Sequence, residues 1–185
     1  MTAGSRAGIG ALAQLYFDIA VWRRGPQHVP DTAILLPLTL AVYCVVNALL
    51  SALLPALPND VSAGVWLTQL GADIAFLLAW YWVLLRLFGH SARYRQTVTA
   101  IFGCQIVLTP AVLVSGWLVQ RYGDVAALQM PVYLAAVAVL LWTLLAVAHI
   151  LRAAIERTLA TALALALLQL LCEGLVVYLT TGAGS

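Results

Sequence analysis

Residues 131–151 read PVYLAAVAVLLWTLLAVAHIL and contain no Asp, Glu, Lys or Arg. The hydrocarbon core of a bilayer is about 30 Å thick, and a helix rising about 1.5 Å per residue crosses it in roughly 20 residues. This stretch has that length. Hydrocarbon offers the backbone no hydrogen-bond partner, so the segment must satisfy its own N–H and C=O groups as a helix. The alternation of polar and apolar positions that a membrane β-strand requires is missing.

Four further runs share this character, at about 33–56, 63–86, 97–119 and 158–180. The chain therefore reads as an all-α integral membrane bundle of five transmembrane helices over residues 31–185. An N-terminal cytoplasmic or interfacial segment over 1–30 precedes it. Composition agrees: 64% of the 185 residues are hydrophobic and 9% charged, where a soluble domain carries roughly 25% charged residues. So few charges cannot cover a water-facing surface. Connections are marked by Pro55, Pro58 and Asn59-Asp60, by Gly89-His90-Ser91, by Gly123-Asp124 with Pro131, and by the bend from Arg152 to Arg157. Short links predict that sequence neighbours pack as antiparallel neighbours.

Charge sets the expected orientation. All nine basic residues are Arg. With the N-terminus inside, Arg6, Arg23, Arg24, Arg86, Arg93, Arg95, Arg152 and Arg157 fall on the cytoplasmic side and Arg121 alone outside. The C-terminal residues, Thr180 to Ser185, are then expected outside, and an Arg-rich, Lys-free composition suggests a bacterial inner membrane. Trp66, Trp117, Tyr122, Tyr133 and Tyr178 are expected at the outer boundary, and Trp22, Tyr81, Trp82 and Tyr94 at the inner one. Trp142 is expected between helices.

Residues 8–24 predict a further helix along the inner interface. Ile9, Leu12, Tyr16 and Ile19 share one face, with Gln14 and Asp18 on another. Gln14 and Asp18 interrupt the apolar run, and no cleavage site follows, so it does not read as a signal peptide. Gly25-Pro26 ends the helix, and Asp31 is the expected N-cap of the first span.

Two carboxylates, Asp73 and Glu173, lie inside spans, where an ionisable group is costly and marks a candidate site. Asn47 falls at similar depth. Gln69 and Gln169 each stand one turn before an acid, on the same helix face. Asn47, Gln69, Asp73, Gln169 and Glu173 thus form a candidate intramembrane polar cluster. It is either a polar pocket or a set of interhelical hydrogen bonds. With no Arg at that depth, at least one acid is expected to carry a proton. Pro110 is a candidate kink, since it frees the carbonyl of Ile106. Cys44, Cys104 and Cys172 read as small buried hydrophobes. His28, His90 and His149 match no metal pattern, and Ser51 and Ser115 lack a nucleophile-elbow setting. No catalytic residue, cofactor site or metal site is expected. Nine scattered Arg form no nucleic-acid face.

The layout and two local stretches, LYFDIAVWRRGPQHVP at Leu15 to Pro30 and RYRQTVTAIFGC at Arg93 to Cys104, resemble the short bacterial members of the Yip family of five-span membrane proteins. The resemblance implies the fold rather than an activity. The GTPase binding of the eukaryotic relatives is not carried over, because it uses a longer N-terminal region. The expected function is that of a non-enzymatic membrane scaffold or accessory subunit. The alternative is a small transporter or lipid-handling protein built on the polar cluster. Expected partners are membrane lipids and a membrane-protein partner or second copy.

Overall fold

The computed structural model describes residues 8–53 and 63–182. These form six α-helices: α1 Gly8–Ala20, α2 Leu35–Leu53, α3 Ala63–Leu87, α4 Tyr94–Tyr122, α5 Ala126–Ile155 and α6 Leu159–Gly182. Single 3-10 turns, Pro26–His28 and Ser91–Arg93, precede α2 and α4. Helices α2 to α6 are each long and apolar enough to cross a membrane. The expected turn at Pro55 to Asp60, Arg6 and the chain end beyond Gly182 lie outside the described residues.

The helices run past some expected span limits because hydropathy reports the lipid-matched part and the backbone continues until something stops it. Helix α4 extends to Tyr122, and α5 begins at Ala126, so Pro131 lies inside α5 rather than in the connection. Pro131 stands in the second turn of α5, where it removes one backbone bond, to the Ala127 carbonyl, without ending the helix. Asp31 does not cap α2. The helix begins at Leu35, whose N–H bonds to the Thr32 carbonyl, while Asp31 pairs with Arg95 at 3.0 Å.

Helix α4 is the hub. From Thr97 to Cys104 every residue is buried, which places helices on all sides of it. Helices α1, α2 and α5 pack on α4, α6 packs on α5, and α3 packs on α6 and on α4. Sequence neighbours therefore pack together for α3–α4, α4–α5 and α5–α6, whereas α2 packs on α4 and α3 packs chiefly on α6. Small side chains on α4 allow that approach. At Gly103 a Cβ would overlap the ring of Tyr16 from α1. Buried Leu15, Tyr16, Ile19 and Ala20 hold α1 in the bundle. The Tyr16 hydroxyl lies 3.1 Å from that of Thr39 on α2, and the Trp142 indole N–H donates to the Ala20 carbonyl at 2.8 Å. Trp142 thus packs between helices, as expected.

Helix α1 stops at Ala20, short of residue 24, in a turn that satisfies its last carbonyls. The Trp22 N–H bonds to the Ile19 carbonyl at 3.0 Å and the Arg23 N–H to the Asp18 carbonyl at 2.8 Å. This Schellman pattern requires a left-handed residue, usually glycine. Helix α3 supplies one, Gly89 at φ 76°, but α1 uses Trp22 at φ 61°. Such a conformation costs a non-glycine residue about 1–2 kcal/mol. Trp22→Gly is expected to raise the thermal unfolding midpoint of the detergent-solubilised protein. A midpoint that does not rise would mean that the indole contributes as much as the strain removes.

One end of the bundle gathers the arginines. Arg24 pairs with Asp18 at 3.3 Å, Arg95 with Asp31 and Arg93 with Glu156. Arg86 stacks over Trp82, and Arg157 over Phe88. His149 donates from Nε2 to the Arg24 carbonyl at 3.0 Å. Arg121 stands near the opposite end of α4. Glu156 ends α5 in a left-handed conformation, φ 52°, with its carboxylate 2.5 Å from Arg93 Nη2. Arg93, by hydrogen bond and by charge, holds the Glu156 carboxyl below its ordinary range. A depressed carboxyl stabilises the fold above its unfolded-state pKa of about 4.3, and this is lost as pH falls through the folded value. The midpoint difference between the natural chain and Glu156→Gln is therefore expected at neutral pH and should vanish on the acid side of about pH 4.

Candidate functional site: a polar cavity lined by all five spans

A polar residue far from either end of an apolar helix must turn inward, because lipid cannot solvate it. The bundle uses this constraint five times at one level. Tyr43 and Asn47 from α2, Asp73 from α3, Gln105 and Thr109 from α4, Thr143 from α5 and Glu173 from α6 line one cavity of about 200 Å³. A smaller space of about 50 Å³ adjoins it, walled by Gln105, Thr143, Gln169 and Glu173.

Two hydrogen-bond chains hold the acids. The Tyr43 hydroxyl donates to Asp73 Oδ2 at 3.3 Å, and Asn47 Nδ2 donates to the Tyr43 backbone carbonyl at 2.9 Å. On the other side, the Tyr81 hydroxyl donates to Gln169 Oε1 at 2.6 Å. Gln169 in turn donates from Nε2 to Glu173 Oε1 at 2.8 Å. The second chain works because Gln169 and Glu173 share a face one turn apart, so the amide presents its two ends to different partners. Thr109 and Thr143 return their hydroxyl protons to carbonyls of their own helices, Gln105 at 2.7 Å and Val139 at 3.0 Å.

The Gln105 Oε1 atom is buried and has no hydrogen-bond partner. Two carboxylates and an unsatisfied amide oxygen therefore meet in a space whose walls carry no Arg, Lys or His. The cavity holds two acids and no cationic side chain to pair with them. Its chemical complement is a donor: a water, an ammonium group or a proton carried on either. Among the described residues, no three His, Cys, Asp or Glu side chains come together as a metal-holding group.

Of the expected cluster, Asn47, Asp73 and Glu173 line the larger space, and Gln169 lines the smaller. Gln69 lines neither. Gln69 stands one turn before Asp73, about 6 Å away along the axis of α3. Tyr43, Tyr81, Gln105, Thr109 and Thr143 were missed. Gln105 carried a readable signal as an amide in the middle of an apolar run. Tyr81 was expected at the membrane boundary, but its ring is fully buried and its hydroxyl serves Gln169. Neighbouring Trp82 is half-exposed. Pro110 does not break α4 into two helices. It sits between the lining residues Thr109 and Val112. Ser115 is turned onto the Val112 carbonyl at 2.8 Å, and His149 is held at the arginine end.

Tyr81→Phe keeps the ring and deletes the donor. It leaves Gln169 Oε1 buried without its partner and is expected to cost about 1–3 kcal/mol, read as a lower unfolding midpoint in detergent. An unchanged midpoint would show that water replaces the hydroxyl.

Fold and site together define a class: an all-α bundle of membrane-spanning character with a two-carboxylate cavity between its helices. Compared with protein families, characterised proteins and solved structures, the chain matches none.

Proposed function

We propose that the chain is a non-enzymatic membrane carrier that binds a protonated or cationic small solute at the Asp73–Glu173 cavity. One observation carries this reading: every span contributes polar side chains to a single space containing two acids and no basic partner. A cluster serving only to tie helices together would be expected to close on itself. Here Gln105 Oε1 is left unmatched beside a cavity wide enough for water. The distribution of arginines supports placing the basic end, and with it the N-terminal segment, on the cytoplasmic side of a bacterial inner membrane.

The accessory-subunit reading is favoured by a different observation. Much of α2 and α6 is exposed apolar surface, including Val45, Leu49, Leu171 and Leu175, and such faces suit either lipid or a partner helix.

The test is complementation of a deletion strain with Asp73→Asn, Glu173→Gln and the double variant, each checked for equal membrane abundance. A carrier loses function in the double variant. Full function in the double variant would leave the cluster as structural glue and favour the accessory subunit.

A further inference from the structure

A second polar site lies at the arginine end, away from the five-span cavity. A cleft of about 400 Å³ opens between the 3-10 turn Pro26–His28, the start of α4 and the end of α5. Its walls have two poles. The beginning of α4 presents the positive end of a helix dipole, and the end of α5 presents carbonyls and the negative end. Arg93 and Gln96 stand at the first pole, and the Ala153 and Ala154 carbonyls with Glu156 at the second.

Arg93 spans the two poles. It reaches the Ala153 and Ala154 carbonyls at 3.4 Å each and the Glu156 carboxylate. Those carbonyl contacts are long, and the ion pair is half-exposed, so exchanging them for a ligand costs little. A second observation is independent of the helix ends. Thr97 is 1% exposed, its hydroxyl has no hydrogen-bond partner, and it borders the same cleft. A buried hydroxyl left unmatched is costly unless something fills the space beside it.

We propose that this cleft binds a phosphoethanolamine-type zwitterion. Its phosphate takes the Thr97 hydroxyl and a released Arg93. Its ammonium donates to Glu156 and the Ala153 and Ala154 carbonyls. The ends of apolar spans lie at headgroup level, so lipid is the nearest source of this chemistry, and a free phosphoethanolamine ester is the other. A choline headgroup has no N–H to donate, and a glycerol headgroup has no cation, so both fit one pole only.

The full chain, purified in detergent and stripped of lipid, is titrated with short-chain phosphatidylethanolamine, phosphatidylcholine and phosphatidylglycerol, with bound lipid counted by native mass spectrometry. Phosphatidylethanolamine is expected to bind about tenfold or more tightly than either of the others. Glu156→Gln and Thr97→Val are each expected to weaken it by about tenfold, and Thr97→Ser should retain it. Thr97→Val keeps the branched shape, and an unchanged unfolding midpoint confirms that it still folds. Glycerophosphoethanolamine that competes as well as the lipid identifies a free solute as the source. Failure to compete identifies the headgroup. Equal binding of the three lipids, or variants without effect on phosphatidylethanolamine, overturns the proposal.

Discussion

Gly103→Leu is expected to release α1 from the bundle. Gly103 lies in the continuously buried stretch of α4, and any Cβ there overlaps the Tyr16 ring. Tyr16 cannot simply swing aside, because it is buried and its hydroxyl meets Thr39. Forcing a side chain into such a contact costs about 1–3 kcal/mol. That is enough to shift a small helix held by four buried apolar residues and the Trp142–Ala20 hydrogen bond. Hydrogen exchange should show lost protection over residues 8–20 while α4 and α5 stay protected. Gly103→Ala should show a weaker form of the same effect. Tyr16→Ala in the Gly103→Leu background should recover part of the protection, since the leucine then fills the space the ring leaves. Equal loss of protection throughout the bundle would mean that α1 and the hub fold as one unit.

The second large effect separates activity from stability. Asp73→Asn and Glu173→Gln each replace a carboxylate by an amide of nearly the same shape. The Tyr43 hydroxyl can still donate to Asn at 73, and Gln169 can still donate to Gln at 173. A neutral amide is also cheaper to hold among apolar helices than an ionised acid. Stability should therefore stay within about 1 kcal/mol of the natural chain, or rise. Solute binding or transport should instead fall by roughly tenfold or more, as expected when a charge-assisted contact of about 1.5–3 kcal/mol is lost. Proteoliposome uptake and unfolding midpoints measured on the same preparations provide the comparison. If midpoint and activity fall together, the acids hold the bundle rather than the solute.

The two acids are not equivalent in this test. Glu173 ends a chain that starts at the fully buried Tyr81 hydroxyl and passes through Gln169. Asp73 has a single longer contact to Tyr43. Changing Glu173 should therefore disturb its neighbours more, and Asp73→Asn is the cleaner probe of the cavity.

The sequence alone determined that this is an all-α chain with five apolar segments, because hydropathy and length are properties of each segment by itself. It also placed the arginines together, since short links alternate the ends of successive helices. Asp73 and Glu173 stood out because an acid in an apolar run is conspicuous without any partner. Tertiary structure alone decided which helices touch and which faces meet. Helix α2 joins α4, and α3 joins α6, because packing depends on the shape of whole faces, and hydropathy says nothing about rotation about the helix axis. That rotation brought Gln105, Thr143 and Tyr43 to the cavity, left Gln69 outside it, and carried Tyr81 from an expected boundary position into the core. The same holds at the arginine end, where residues from the 3-10 turn, α4 and α5, far apart in the chain, share one cleft. Segment character is local, whereas a site assembled between helices exists only once their rotations are set by packing.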